Sequence, residues 1–240
     1  MHVSHIWHRY RDQCWKCNVF LAITLSNQEG NEFTPSQMNS LYEIFIQEMI
    51  NLSLGQAMDI AWHRGIADAD KITEEHYLQM CAYKTGTLAR MAARMAAVVA
   101  GANANLTGKL GRFAEAIGVA FQMQDDILDL SGDEFAEKKG ARGMDITEGK
   151  RSLIVIHTLE KSKPKERKRL IEILNSHTND QKLRDEAIAI MSNYDSIEYT
   201  KKFAKRIVRE SWSEVNQLLP SSEAKEKLSA FATYLIERKI

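Results

Sequence analysis

The stretch Phe121-Gln122-Met123-Gln124-Asp125-Asp126-Ile127-Leu128-Asp129 decides the fold, because it sets three carboxylates on an otherwise apolar segment. Residues 110–130 have the length of a helix, and their apolar positions recur at steps of three and four. The pattern predicts a helix whose core-facing side also carries acids.

The spacing of the polar residues in this segment indicates what the acids do. On a helix, Gln122, Asp125 and Asp129 share one face, and Asp126 lies on its shoulder. Acids this close repel one another, so burial raises their pKa values unless a cation lies among them. Hard oxygen ligands in an open cluster suit Mg²⁺. We therefore expect a magnesium site, the alternative being a solvated acidic face.

The rest of the chain is also predicted to be helical. Thr34-Pro35-Ser36 predicts the start of a helix to about Gly65, with Leu41, Phe45, Met49 and Leu52 on one stripe, and Thr73 predicts one through Val99. Ile154-Val155-Ile156 is β-prone but too short for a strand. After Gly149 we expect helices near 150–161, 164–177, 180–194, 196–218 and 222–238.

Composition indicates one soluble domain without a nucleic-acid partner. The 240 residues hold 32 basic and 32 acidic side chains, so no global field favours nucleic acid. The longest apolar stretch, residues 95–101, is too short for a membrane span, and no secretory signal is visible. Three cysteines do not make a disulfide framework, which favours the cytoplasm.

Further motifs surround the acidic stretch in a recognisable order. Gly55-Gln56-Ala57-Met58-Asp59 and Tyr83-Lys84-Thr85-Gly86 precede it, and Lys139, Asp145 and Glu148-Gly149-Lys150-Arg151-Ser152-Leu153 follow. In this order and spacing they resemble the trans-isoprenyl diphosphate synthases, the polyprenyl synthetase family. The FQxxDDxxD pattern is similar to that family's second aspartate-rich motif.

The resemblance implies an all-α, single-domain antiparallel helix bundle around a central cavity. Residues 1–240 are expected to form one isoprenoid-synthase-like domain, with 1–33 as a divergent N-terminal segment. The implied activity is a Mg²⁺-dependent prenyltransferase that joins isopentenyl diphosphate to an allylic prenyl diphosphate. The implied assembly is a homodimer or a heterodimer with a full-length synthase, with residues 88–100 and the stripe around Phe45 as candidate interfaces.

Roles for individual residues also come from the resemblance. It implies Asp125, Asp126 and Asp129 as metal ligands, with Asp59 as a further candidate. It implies Lys84, Lys139 and Lys150 as diphosphate ligands, and Thr85 and Gln122 as oxygen dipoles facing an allylic carbocation. Gln56 and Phe121 would line the substrate cavity. Each has a plainer alternative: lone lysines are often solvated, Gln56 and Asp59 can bond neighbouring helices, and Phe121 can be core.

The sequence departs from the family pattern in its N-terminal part. The family has a first aspartate-rich motif followed by Arg-Arg-Gly, whereas this sequence has no second DDxxD, and Asp68-Ala69-Asp70 is no substitute. Residues 5–13 resemble what normally follows Arg-Arg-Gly, and Cys14-Trp15-Lys16-Cys17-Asn18 replaces a family motif. We therefore expect weak condensation, or none, from this chain alone.

Three alternatives remain open from the sequence. A non-catalytic subunit that pairs with a full-length synthase would explain the missing motif. A class I terpene cyclase needs a later NDxxSxxxE, but Asn179-Asp180 lacks the required Ser and Glu. His5, His8, Cys14 and Cys17 have ligand types and pair spacings that zinc accepts, although the gap between the pairs is short.

Overall fold

The computed structural model describes residues 33–66, 68–131 and 142–237. Within these ranges every regular element is a helix. The helices are α1 (Pro35–His63), α2 (Glu74–Cys81), α3 (Thr87–Val99), α4 (Ala104–Leu130), α5 (Met144–Thr147), α6 (Leu153–Lys161), α7 (Pro164–Asn175), α8 (Gln181–Asn193), α9 (Ser196–Asn216) and α10 (Glu223–Glu237). A single 3₁₀ turn, Ala69–Lys71, follows α1. The all-α bundle expected from the sequence is confirmed.

Local capping explains where the first helices begin. The Thr34 side chain accepts the Gln37 backbone N–H, and the Gln37 side chain accepts the Thr34 N–H, which closes a capping box at the predicted start of α1. Thr73 and His76 form the same arrangement before α2. The aspartate-bearing helix begins earlier than the apolar periodicity indicates, because Asn103 accepts the Leu106 N–H at 2.9 Å.

The helix predicted from Thr73 to Val99 contains an irregular turn. Residues Ala82–Gly86 form a π-helical turn between α2 and α3, and they include the Lys84-Thr85 pair. Two glycines let this turn fit between its neighbours. A Cβ on Gly55 of α1 would lie 2.5 Å from the backbone nitrogen of Lys84, and one on Gly118 of α4 would lie 2.7 Å from the Gly86 Cα. Both helices therefore approach the backbone of the π turn directly.

Helix α4 is the centre of the bundle, because it packs against both α3 and α9. One hydrophobic cluster surrounds its middle, with Tyr77, Phe113 and Met123 among its fully buried members. A second cluster, which includes Ile127, Leu170 and Met191, surrounds its carboxyl end. The Asp125–Asp129 segment thus lies where the two clusters meet.

A buried ion-pair network ties α1 and α4 to α3. The Arg90 guanidinium of α3 donates to both carboxylate oxygens of Glu48 on α1 and to Glu115 on α4. Glu48 is 1% exposed, and Arg94 also lies within 3.3 Å of it. Pairing with arginines from the next helix is what permits a carboxylate in this position.

Helix α1 leaves a row of apolar side chains exposed. Ile46, Ile50 and Leu54 are 57%, 50% and 50% exposed, while Phe45 and Met49 of the predicted stripe are half-buried. No helix in the described ranges is both long and apolar enough to cross a bilayer.

Candidate active site

Asp126 is a hydrogen-bonding centre at the carboxyl end of α4. The Tyr77 hydroxyl donates to its Oδ2 at 2.8 Å, and the Gln122 amide donates to its Oδ1 at 3.0 Å. The Lys150 ammonium donates to Oδ1 at 2.6 Å. Asp126 is 2% exposed, so these donors from separate elements replace water around a buried carboxylate. The sequence placed Asp126 on the shoulder of the polar face, but the structure places it inside, because the i, i+4 step from Gln122 turns it toward α2.

Lys150 lies between two carboxylates. Its ammonium also donates to Asp145 Oδ2 at 2.8 Å. Burial alone would lower the pKa of Lys150, but Asp126 and Asp145 outweigh burial and hold it well above its usual value. Lys150 is therefore a permanent cation at this end of the bundle.

Asp145 has the reverse balance of charges. Burial raises its pKa, Lys150 lowers it, and repulsion from Asp126 and Asp129 raises it further, to about 7 in all. Asp126 and Asp129 thus place further negative charge near Asp145, whose neutralising partner in this group is Lys150.

Asp129 supports the turn that carries Lys150. Its Oδ2 accepts the Asp145 backbone N–H at 3.0 Å, and its backbone oxygen accepts the Gly143 N–H at 2.9 Å. The turn then closes at Gly149, whose φ of 70° is in the left-handed region. This conformation delays α6 until Leu153, whereas the sequence predicted a helix from about residue 150.

Lys84 projects from the π turn to a second buried acid. Its ammonium donates to Asp59 Oδ2, and the other Asp59 oxygen lies 3.4 Å from His63 Nε2. Asp59 is 5% exposed, so in this structure it anchors Lys84 and His63. Burial lowers the pKa of His63, and Asp59 opposes that shift.

Thr85 connects the π turn, which carries Lys84, to the hydrogen bonds around Asp126, which hold Lys150. Its hydroxyl donates to Gln122 Oε1 at 3.0 Å, and the Gln122 amide in turn donates to Asp126. Because the hydroxyl proton points at Gln122, the free lone pairs of Thr85 Oγ1 point elsewhere. One continuous series of contacts therefore runs from the π turn through α4 to Lys150.

The remaining predicted residues lie around or outside this series. Asp125 and Phe121 are half-buried, and Gln56 is exposed on α1. Among the described residues no hydrogen bond links Gln56 to the Lys84 anchor. Lys139, His5, His8, Cys14 and Cys17 lie outside the described residues. Asp68 pairs with Lys71 and Asp70 with Arg151, so neither acid contacts Lys84 or Lys150.

Sequence reasoning gave no role to Tyr77, His63 or Asp145. Tyr77 reads as an ordinary apolar position of α2, and its partner Asp126 is 49 residues away. His63 follows Asp59 by four residues, and this spacing on a helix could have indicated that the two side chains interact.

The donor chemistry at this end of α4 fits Mg²⁺. Oxygen ligands with negative charge favour a hard cation, and repulsion from Asp126 and Asp129 adds to the effect of burial in raising the pKa of Asp145. Within the described ranges, no three acidic, histidine or cysteine side chains are already arranged around a common metal position. The metal-binding roles of Asp125, Asp126, Asp129 and Asp59 stay predictions.

An open cleft of about 640 Å³ lies beside His63, next to the Lys84–Asp59 pair. Trp62, His63, Arg151 and His177 contribute to its lining. Arg151 is itself held by Asp70 and Asn175, at 3.0 and 2.6 Å. The cleft gives solvent access to the side of the site that His63 occupies.

Comparison with known proteins agrees with this geometry. Residues 18–191 match the polyprenyl synthetase family. A short chain isoprenyl diphosphate synthase of Methanothermobacter thermautotrophicus is 35% identical over 196 residues, which cover 82% of this chain and 58% of that protein. A geranylgeranyl pyrophosphate synthase of Penicillium paxilli is 34% identical over 177 residues, 74% of this chain and 45% of that protein.

The fold comparison gives the same family. The crystal structure of a geranylgeranyl pyrophosphate synthetase from Pyrococcus horikoshii superposes with a TM-score of 0.79 at 28% identity, covering 92% of this chain and 63% of that one. The chain therefore spans less than two thirds of these relatives. With the match over residues 18–191 and the helix bundle together, the chain belongs to the polyprenyl synthetase family.

Proposed function

We propose that this chain carries the diphosphate-binding site of a trans-prenyltransferase that joins isopentenyl diphosphate to an allylic prenyl diphosphate. One observation carries the proposal: Lys84 and Lys150, each anchored on a buried aspartate, are connected through Thr85, Gln122 and Asp126. The matched relatives are named for isoprenyl and geranylgeranyl products, which favours an allylic diphosphate as the ligand.

The two lysines supply charge to a diphosphate group. At an effective dielectric near 20, a cation about 4 Å from a phosphate charge contributes about 4 kcal/mol before desolvation is counted. Burial raises the pKa of the Cys81 thiol, and the positive charges of Lys150 and Lys84 both oppose that rise. We propose Lys139 as a third diphosphate ligand.

Thr85 and Gln122 serve the allylic end of the ligand. The Thr85 lone pairs and the oriented Gln122 carboxamide form a fixed electrostatic environment for developing positive charge. Water in the same place would also solvate a carbocation but would react with it. When bound, Mg²⁺ would neutralise charge on the departing diphosphate, with Asp125, Asp126 and Asp129 as the proposed ligands.

We further propose that the chain assembles as a homodimer, or as a heterodimer with a full-length synthase, in the cytoplasm. The exposed row of Ile46, Ile50 and Leu54 on α1 supports assembly, because contiguous exposed apolar side chains favour an interface. The low cysteine content supports the compartment.

Calorimetry with geranyl diphosphate and Mg²⁺ tests the proposed function. The wild-type chain should bind only with Mg²⁺ present, and Asp125→Asn and Lys84→Met should each weaken binding about tenfold or more. Lys168→Ala is the matched control, because Lys168 is 81% exposed and lies away from the site. Equal binding by wild type and both site variants would disprove the assignment. Binding without turnover, even beside a full-length synthase, would favour the non-catalytic subunit.

A further inference from the structure

Tyr77 is a fully buried tyrosine whose only polar group points at the site. Its exposed fraction is 0%, and its hydroxyl donates to Asp126 Oδ2 at 2.8 Å. Its ring belongs to the hydrophobic cluster that also contains Phe113 and Met123. Because that packing fixes the ring, the hydroxyl oxygen has a fixed position relative to α4.

The Tyr77 contact determines the rotation of the Asp126 carboxylate. Oδ2 is held by Tyr77, so Oδ1 turns toward the opposite side, where it accepts from Gln122 and Lys150. Carboxylate rotation about its last torsion is otherwise soft. Without the hydroxyl, a buried acceptor loses its partner, and the carboxylate can turn away from Lys150 to recover one.

We propose that Tyr77 is a positioning residue of the diphosphate site, which through Asp126 holds Lys150 and Gln122 in the arrangement that receives the ligand. This inference rests on the proposed function of the site. Tyr77 touches no ligand itself, because its side chain has no exposed surface. Its effect on the site passes through the hydrogen bond to Asp126.

Tyr77→Phe removes the hydroxyl and leaves the ring in place. Tyr199→Phe is the matched control, because the Tyr199 hydroxyl also donates to a carboxylate, Glu74, at 2.5 Å, but outside the site. Calorimetric titration with inorganic diphosphate and Mg²⁺ gives the readout. Loss of a hydrogen bond to a charged group predicts about tenfold weaker binding for Tyr77→Phe. Tyr199→Phe should bind like wild type.

A double-variant cycle distinguishes positioning from a general loss of structure. In a Lys150→Met background, Tyr77→Phe should change diphosphate affinity by less than about twofold. That threshold is about the scatter from additivity found for independent sites. A merely structural role would give the same loss in both backgrounds. If Tyr77→Phe fails to fold, Tyr77→Met replaces it, since methionine also lacks the hydroxyl and its flexible side chain can fill the buried space.

The outcomes separate this inference from the proposed function. If Lys84→Met weakens diphosphate binding but a folded Tyr77→Phe variant binds like wild type, the positioning role is wrong and the site assignment stands. If neither variant changes binding, the site assignment itself fails. Equal losses from Tyr77→Phe in the wild-type and Lys150→Met backgrounds would also overturn the positioning role.

Discussion

Adjacent acids of the DDxxD segment have different surroundings. Asp126 and Asp129 are each 2% exposed and accept donors from distant elements, while Asp125 is half-buried. The Asp126 oxygens accept from Tyr77, Gln122 and Lys150, which occupy three of the roughly four lone-pair directions of a carboxylate. Metal binding at Asp126 would therefore use the remaining direction or displace one of these donors.

Removing the Lys84–Asp59 pair should affect binding more than stability. Lys84→Met/Asp59→Asn removes both charges together, so no buried charge is left unpaired. We expect a loss of unfolding free energy under about 1 kcal/mol and about tenfold weaker Mg²⁺-dependent binding of geranyl diphosphate. Leu52→Ala, on the buried face of α1, should do the reverse and cost about 2–5 kcal/mol through its cavity. Urea unfolding and calorimetry measure both quantities, and unchanged binding by the double variant would refute the role of Lys84.

Asp145 should make stability depend on pH. Its folded pKa of about 7 lies above its ordinary value of 3.8, so the folded protein holds more protons between these values than the unfolded chain. The favourable contribution of this group is complete below pH 3.8 and is lost as pH rises through about 7. Without Mg²⁺, Asp145→Asn should therefore gain stability relative to wild type from pH 5 to pH 8, a range chosen to bracket that transition.

Urea unfolding in EDTA at several pH values measures this difference. Asp185→Asn is a suitable control, because Asp185 is 52% exposed on α8. Parallel stability profiles for wild type and Asp145→Asn would contradict the prediction.

At the scale of the element, the π turn positions two of the candidate site residues. One extra residue in the turn Ala82–Gly86 directs Lys84 toward α1 and Thr85 toward α4. The turn fits because Gly55 and Gly118 present bare backbone to it. Shape at these two glycines is therefore as important for the site as the charged residues.

Gly118→Ala tests that requirement. The added Cβ would lie 2.7 Å from the Gly86 Cα, so the π turn must shift. We expect a loss of about 1–3 kcal/mol in unfolding free energy and weaker diphosphate binding. Gly108→Ala is the control on the same helix, since its Cβ would meet nothing within 4 Å and should stabilise α4 by up to about 1 kcal/mol.

Chemical denaturation should show a lower unfolding free energy for Gly118→Ala and a higher one for Gly108→Ala. Calorimetry should show weaker diphosphate binding for Gly118→Ala. A Gly118→Ala variant as stable as Gly108→Ala, with intact binding, would show that the close approach of α4 and the π turn is unimportant.

At the scale of the whole molecule, the described site holds one aspartate-rich segment. The sequence contains a single DDxxD, whereas the family pattern has two aspartate-rich motifs. One acidic cluster and its metal would neutralise only part of the negative charge of a diphosphate leaving group. We therefore expect the 240-residue chain to bind diphosphate and to condense substrates weakly or not at all by itself.

Incubation with radiolabelled isopentenyl diphosphate, an allylic primer and Mg²⁺ measures this. Addition of a full-length synthase whose own first motif is intact, but whose second motif is inactivated, should restore product if the two chains complement each other. Robust product from the 240-residue chain alone would contradict the expectation.

Local sequence signals determined the helices, and the family motifs selected the candidate site residues. Thr34 and Thr73 cap α1 and α2 as predicted, because a cap is an interaction between residues three apart. Periodicity kept Ile154-Val155-Ile156 in a helix, and the family motifs selected Lys84, Gln122 and Lys150. These features depend on neighbours in the chain, so the sequence alone carries them.

Only the tertiary structure decided how those residues pair. Asp126 meets Tyr77 across 49 positions, and Lys84 meets Asp59 across 25. Such contacts depend on the angle and depth at which helices pack, and on the two glycines that admit the π turn. Helical periodicity places a side chain on a face, but the neighbouring helix determines whether that face is solvated, paired or buried. This is why Asp126 proved to be the buried centre of the site.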